Sequence, residues 1–223
     1  MRSTLDSKGD DISMEIPPSP VTTRLRMLQD KLARLRAVWG QAGGGVSPPD
    51  FGERLSEDRI IDIECMLGCR LPEGYRRFLI EVGNGGFGPG LGLIPFGADS
   101  MVDPRIPADD RAVLNPSAPF AYLEDWNFPP LKRAMEEQSA QLEELQTFYF
   151  STARIDGTIR VADLGCGAIA LLVLNGTQRG RIWLDFRGTF GGIAQDLEFL
   201  DWYDAWLDDQ YCHATISINP RNP

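Results

Sequence analysis

The apolar positions of this chain change period along its length, and the changes mark out its elements. Val21, Leu25, Leu28, Leu32, Leu35 and Trp39 recur at spacings of four and three, which lines one face of a helix over residues 21–39. Thr22 or Thr23 is the expected cap, and Arg24, Arg26, Lys31, Arg34 and Arg36 make the other faces basic. Gly43, Gly44 and Gly45, then Pro48 and Pro49, break the pattern. A second helix is predicted from Ser56, whose successors Glu57 and Asp58 put negative charge at the positive end of the helix dipole. Ile60, Ile63 and Leu67 carry its stripe to Gly68. Leu71-Pro72 opens a third helix, since proline at the first helical position lacks an N–H that would have no partner there. Tyr75, Phe78, Leu79 and Val82 form its buried stripe, and Gly83 is placed to stop it.

Past Asn84-Gly85-Gly86 the period shortens. Residues 91–96 read as a short strand, and residues 97–146 are rich in Asp, Pro and Glu with a helical stretch at about 131–146. Strands are predicted at 148–150, 158–163, 168–174 and 181–186. The unbroken apolar run 169–174 suits a central strand buried on both faces, and Asn175-Gly176 through Gly180 turns it into Ile182-Trp183-Leu184. A closing helix over about 196–209 sets Phe199, Trp202, Tyr203, Trp206 and Leu207 along one side. Helices first and strands later predict an α+β fold, with a mainly antiparallel sheet of about four to six strands flanked by helices. The expected organisation is a disordered leader at 1–20, an amphipathic helix and linker at 21–47, and a main domain at 48–213. That domain would carry an acidic, Pro-rich insertion at about 97–146, and a tail would follow at 214–223.

Charge narrows the choice of partner. The formal net charge is −10, from 32 acidic and 22 basic residues. Counterion release drives nucleic-acid binding by positive surfaces, so this balance argues against a nucleic-acid binder and favours a basic partner through steered association. At 223 residues and 43% hydrophobic content a sizeable core needs neither disulfide nor metal. No stretch is long and apolar enough to span a bilayer, and the polar start lacks the apolar region of a signal peptide. A cytoplasmic location with four free thiols is the expectation.

Several motifs suggest chemistry and fail on context. Gly83-Asn84-Gly85-Gly86-Phe87-Gly88 spells G-x-G-x-x-G, but with a helix before it and a strand after it, the reverse of a dinucleotide site. Asp163-Leu164-Gly165-Cys166-Gly167 looks like a methyltransferase loop, yet apolar residues and a hairpin follow, and only 56 residues remain after it. His213 is the only histidine and has no nucleophile motif around it. Cys65 and Cys69 lack the second pair that structural zinc requires. The chain is therefore read as non-enzymatic, with no cofactor and no metal.

The run Ile63-Glu64-Cys65-Met66-Leu67-Gly68-Cys69-Arg70-Leu71-Pro72-Glu73-Gly74-Tyr75-Arg76-Arg77-Phe78-Leu79, followed by Asn84-Gly85-Gly86, resembles the opening helices of the Smi1/Knr4-like (SUKH) superfamily. A second block, from Asp163-Leu164-Gly165 through Gly180-Arg181-Ile182-Trp183 to Phe199-Leu200-Asp201-Trp202-Tyr203 and Trp206-Leu207, resembles its bacterial members in the same order. The matched residues are structural, so the resemblance implies a fold and no site. It further implies an immunity protein that binds and neutralises a cognate toxin, with an adaptor in signalling or cell-wall regulation as the alternative. Contact residues do not carry over by motif.

Acidic surface with aromatic anchors is the physical recipe for a basic partner. Residues 97–146 hold ten acidic and four basic residues. Within them Asp109, Asp110, Glu124 and Asp125 supply charge, and Tyr122 and Trp126 supply rings. Two readings stand for Tyr122, Trp126 and Phe128: anchors for a partner, or pins that hold this segment to the core. Residues 195–210 carry Asp196, Glu198, Asp201, Asp204, Asp208 and Asp209 without a Lys or Arg. Glu198, Asp201, Asp204 and Asp208 make that helix a second candidate face, and the glycine-rich turn at 85–92 is a third.

Overall fold

The computed structural model describes residues 19–41, 49–106 and 113–218. Most of the expected leader, the linker glycines and the end of the expected tail lie outside these. Helix α1 spans Pro20–Gln41. Ser19 caps it, rather than either threonine: its Oγ accepts the Thr22 N–H at 3.2 Å, and proline takes the next position. Helix α2 (Glu57–Leu67) starts from Ser56, whose Oγ accepts the Arg59 N–H at 3.2 Å, and stops at Gly68 with φ 66°. Helix α3 (Glu73–Glu81) follows Pro72. Glu64 joins the two: its Oε1 accepts the Leu71 N–H at 3.0 Å and lies 3.5 Å from the Arg76 guanidinium.

The sheet is antiparallel throughout, in the order β1 (Thr158–Gly165), β2 (Ala168–Val173), β3 (Arg181–Asp185) and β4 (Ile193–Glu198). Every residue of β2 is buried. The turn Gly165-Cys166-Gly167 joins β1 to β2 with φ of 82°, 51° and 79°, and Asp163 Oδ1 accepts the Gly165 N–H at 2.8 Å. This geometry is a hairpin: the turn leads into strand β2, where the methyltransferase loop needs a helix. At Asn84-Gly85-Gly86 the backbone runs so close to its neighbours that a Cβ on Gly86 would lie 2.5 Å from the Asp50 carbonyl oxygen, at φ 99°.

Four expectations need correction. Residues 148–150 end a helix, α5 (Leu142–Phe150), because three successive aromatics fit a helix as well as a strand and only Tyr149 is buried. The helix expected at 131–146 is two, α4 (Pro129–Glu136) and α5, separated where Gln138 turns left-handed at φ 51°. Residues 91–96 form no strand; Leu93 alone makes bridges, to Gly86 and to Ala162. The closing helix α6 spans Phe199–Ile218, and the residues just before it belong to β4.

The alternation of side chains splits the sheet into two cores. Ala170, Leu172 and Leu174 join Ile159, Val161 and Ile182 beneath α1, α2, α3 and α6. Ile169, Leu171 and Val173 join Trp183 and Ile193 on the other face. That second face is covered by Leu114, Phe120 and Ile155, with Tyr122 and Trp126 packed against them. Helices shield one face and an irregular acidic segment shields the other.

Candidate interaction surface

The acidic side of α6 meets the basic side of α1. Leu25, Leu28, Leu32 and Leu35 of α1 are almost fully buried against the helical core. With that stripe seated, the cations of α1 reach carboxylates on α6 and at the end of β4. Arg24 lies 3.2 Å from Glu198 and 3.3 Å from Asp201. Lys31 lies 2.8 Å from both Asp204 and Asp208. Burial alone would lower the Lys31 pKa, but hydrogen bonds and charge from Asp204 and Asp208 outweigh it and raise the value. All four candidate carboxylates of this face are therefore ion-paired within the chain.

The 97–146 segment is arranged differently. The Trp126 N–H donates to the Ile193 carbonyl at 2.8 Å, and the Ile193 N–H donates to the Trp126 carbonyl at 2.7 Å, so the segment closes the exposed edge of β4. Asp125 Oδ1 accepts the Gln195 N–H at 2.9 Å and fixes the same register. A ladder of rings runs outward from the buried Trp183. Phe120 packs edge-on to Trp183 at 5.0 Å, Tyr122 lies 5.5 Å from Trp126, and Trp126 stacks on Tyr149 at 5.4 Å. Phe128 stacks on Trp126 at 6.3 Å and meets Phe148 at 4.9 Å.

The inner rungs pin the segment, and the outer ones reach solvent. Tyr122 and Trp126 are half-buried, whereas Leu123 is 61% exposed, Phe148 42% and Phe190 40%. Glu124 and Asp125, next in sequence to Leu123, are exposed, and among the described residues neither is ion-paired. Asp109 and Asp110 lie outside the described residues. The glycine-rich turn at 85–92 is tied down, with the Leu91 N–H on the Asp163 carbonyl at 2.8 Å and Tyr203 Oη donating to the Phe87 carbonyl at 2.7 Å.

The sequence pattern missed Phe148 and Phe190. By pattern Phe148 reads as strand, and Phe190 sits in a left-handed turn (φ 60°) that gives no periodic signal. It also missed the buried ionic cluster that carries this surface. Arg187 is fully buried, hydrogen-bonded through Nε and Nη2 to Asp185 and through Nη1 to the carbonyls of Tyr149 (3.1 Å) and Ser151 (2.9 Å). Arg105 bridges Asp103, through Nε at 2.8 Å, and Asp185, through Nη1 at 2.9 Å. Burial pushes the Asp185 carboxyl up, but the hydrogen bonds and charges of Arg105 and Arg187 outweigh it and hold the group down to about 2. The cluster thus binds the start of the acidic segment, the end of β3 and the end of α5 into one rigid platform.

The remaining chemical candidates are scattered. Cys65, Cys166 and Cys212 are exposed, and Cys69 donates from its sulfur to the Pro116 carbonyl at 3.7 Å. His213 is exposed on α6. No helix among the described residues is long and apolar enough to cross a membrane.

Residues 54–199 match the model of the SMI1 / KNR4 family (SUKH-1). No curated protein and no solved structure matches the chain. The matched span includes the sheet, the 97–146 segment and both opening helices of the main core; α1 precedes it, and all but the first residue of α6 follows it.

Proposed function

The chain belongs to the SMI1 / KNR4 family (SUKH-1), and on that premise we propose that it is a non-catalytic immunity protein that binds and neutralises a basic toxin domain. The observation that carries this reading is the aromatic ledge of the 97–146 segment. There, exposed Leu123 adjoins the exposed Glu124 and Asp125 in sequence, and exposed Phe148 and Phe190 join the same ring ladder through Phe128 and Tyr149. Glu198, Asp201, Asp204 and Asp208 of the other acidic stretch are paired with α1. Exposed apolar groups rimmed by carboxylates give a partner both anchors and steering. The toxin would be inactivated by occlusion: its basic cleft is covered, and no bond is made or broken on either side.

The platform suits that role. A binder that arrives with its surface ordered loses little conformational entropy on association, and the Arg187 cluster supplies that order. The net charge of −10 adds long-range attraction for a basic partner and repels nucleic acid. The reading carries a cytoplasmic location with it, where free cysteines stay reduced.

Affinity capture from the native cell with the purified chain, and mass spectrometry of what is retained, tests the reading. One basic effector domain at near-equal stoichiometry, with an on-rate that falls as salt is added, is the expected result. Recovery of several unrelated housekeeping proteins would overturn it in favour of an adaptor.

A further inference from the structure

We propose that the cavity beside the end of α5 is a binding site for a small aromatic anion, an aryl carboxylate being the simplest. The inference rests on this cavity alone and stands or falls separately from the immunity reading. The cavity has a volume of about 640 Å³ and is walled by Arg105, Phe148, Phe150, Ser151 and Arg154, among others. That volume lies within the range of pockets that hold small organic ligands.

The charge of the wall is the reason for an anion. The chain carries −10 overall, yet the described residues lining this cavity include two arginines and no carboxylate. Behind the wall, Asp103 and Asp185 are already matched by Arg105 and Arg187. Among the described residues, Arg154 is the cation in excess of that balance. Its Nε is buried and makes no hydrogen bond, and its guanidinium carbon lies 4.3 Å above the Phe148 ring. Arg154 also hydrogen-bonds the Tyr122 side chain, and its remaining guanidinium donors are the groups that would meet a planar oxyanion.

The rings are the reason for an aromatic ligand. Phe148 and Phe150 both line the cavity, and Phe148 is 42% exposed. A flat ring can lie against them while its carboxylate meets Arg154, so that apolar burial and charge pairing come from different parts of one molecule. A bare inorganic anion would use only the second.

Calorimetric titration of the purified full-length chain with naphthoate and with naphthylmethanol tests the assignment, because the two probes share a ring and differ in charge. The expected result is saturable 1:1 binding of naphthoate with Kd below about 1 mM, and at least tenfold weaker binding of the alcohol. Arg154→Gln should lose at least tenfold in naphthoate affinity, Arg154→Lys should lose less, and Arg133→Gln, on exposed α4, should change nothing. The ratio between the probes on the unaltered chain decides the case even if a variant fails to fold. Equal affinity for the two probes, no saturation, or an unchanged Kd in a folded Arg154→Gln would each overturn the proposal.

Discussion

The two acidic regions of this protein look alike in sequence and end in opposite circumstances in the fold. Residues 195–210 are the more uniformly acidic, and a sequence argument ranks them at least level with the 97–146 segment as a face for a basic partner. In the structure four of their six carboxylates, Glu198, Asp201, Asp204 and Asp208, already have a basic partner in the helix α1. Glu124 and Asp125 are fewer, but they stand exposed on the segment that carries the ring ladder and, among the described residues, no cation pairs with them. The lesson is that the sign of a stretch does not make a docking surface; what matters is the charge left over after the chain has folded on itself.

The comparison can be broken at three points, taken from the largest expected effect to the smallest. Arg187→Met removes the hub that holds the 97–146 platform together and, among the described residues, leaves the buried Asp185 with Arg105 as its one remaining cation. Breaking a buried pair by removing one member costs about 3–5 kcal/mol. Urea unfolding should register that loss in full, together with weakened packing of Tyr149 and the ring ladder. The helical core around α1 should keep its order longer in hydrogen exchange.

Acid provides a gentler route to the same platform. Asp185 is held down to about 2 against an ordinary 3.8. A carboxyl depressed in the folded chain adds stability that is complete above the unfolded value and is lost as pH falls through the folded one. The wild-type chain should therefore lose stability between about pH 4 and pH 2 more steeply than Asp185→Asn. Unfolding free energies over that window measure the difference, and parallel slopes would remove Asp185 from the account.

Lys31→Met touches the other acidic region. The pairs it breaks are partly exposed, so the cost is about 0–1 kcal/mol. Melting should barely move, while Asp204 and Asp208 gain accessible charge. If α6 were the docking face, this variant would bind the partner more tightly. The account predicts no change.

The helices and the central strand were legible because each has a strong local signal. The three-and-four spacing from Val21 to Trp39 could be nothing but a helix, and the unbroken run in β2 marked a strand buried on both sides. The errors fell where local signals conflict. Phe148-Tyr149-Phe150 suits either period, and Asp196 and Glu198 in β4 look like the first turn of the helix that follows. The fate of the acidic α6 face was not legible at all. It depends on pairs such as Arg24 with Glu198, separated by 174 residues, and no pattern within one element can reveal a partner at that distance. The same holds for Arg187, an arginine that reads as surface and is fully buried.

The most direct test of the central claim compares the two acidic regions on one captured partner. Binding would be measured by calorimetry for the wild type, for Glu124→Lys combined with Phe148→Ala, and for Asp204→Asn combined with Asp208→Asn. The account predicts at least a tenfold loss for the first pair and an affinity within about twofold of wild type for the second, a tenfold change being 1.4 kcal/mol. Loss confined to the α6 pair would contradict it and return the docking face to the helix that α1 now covers.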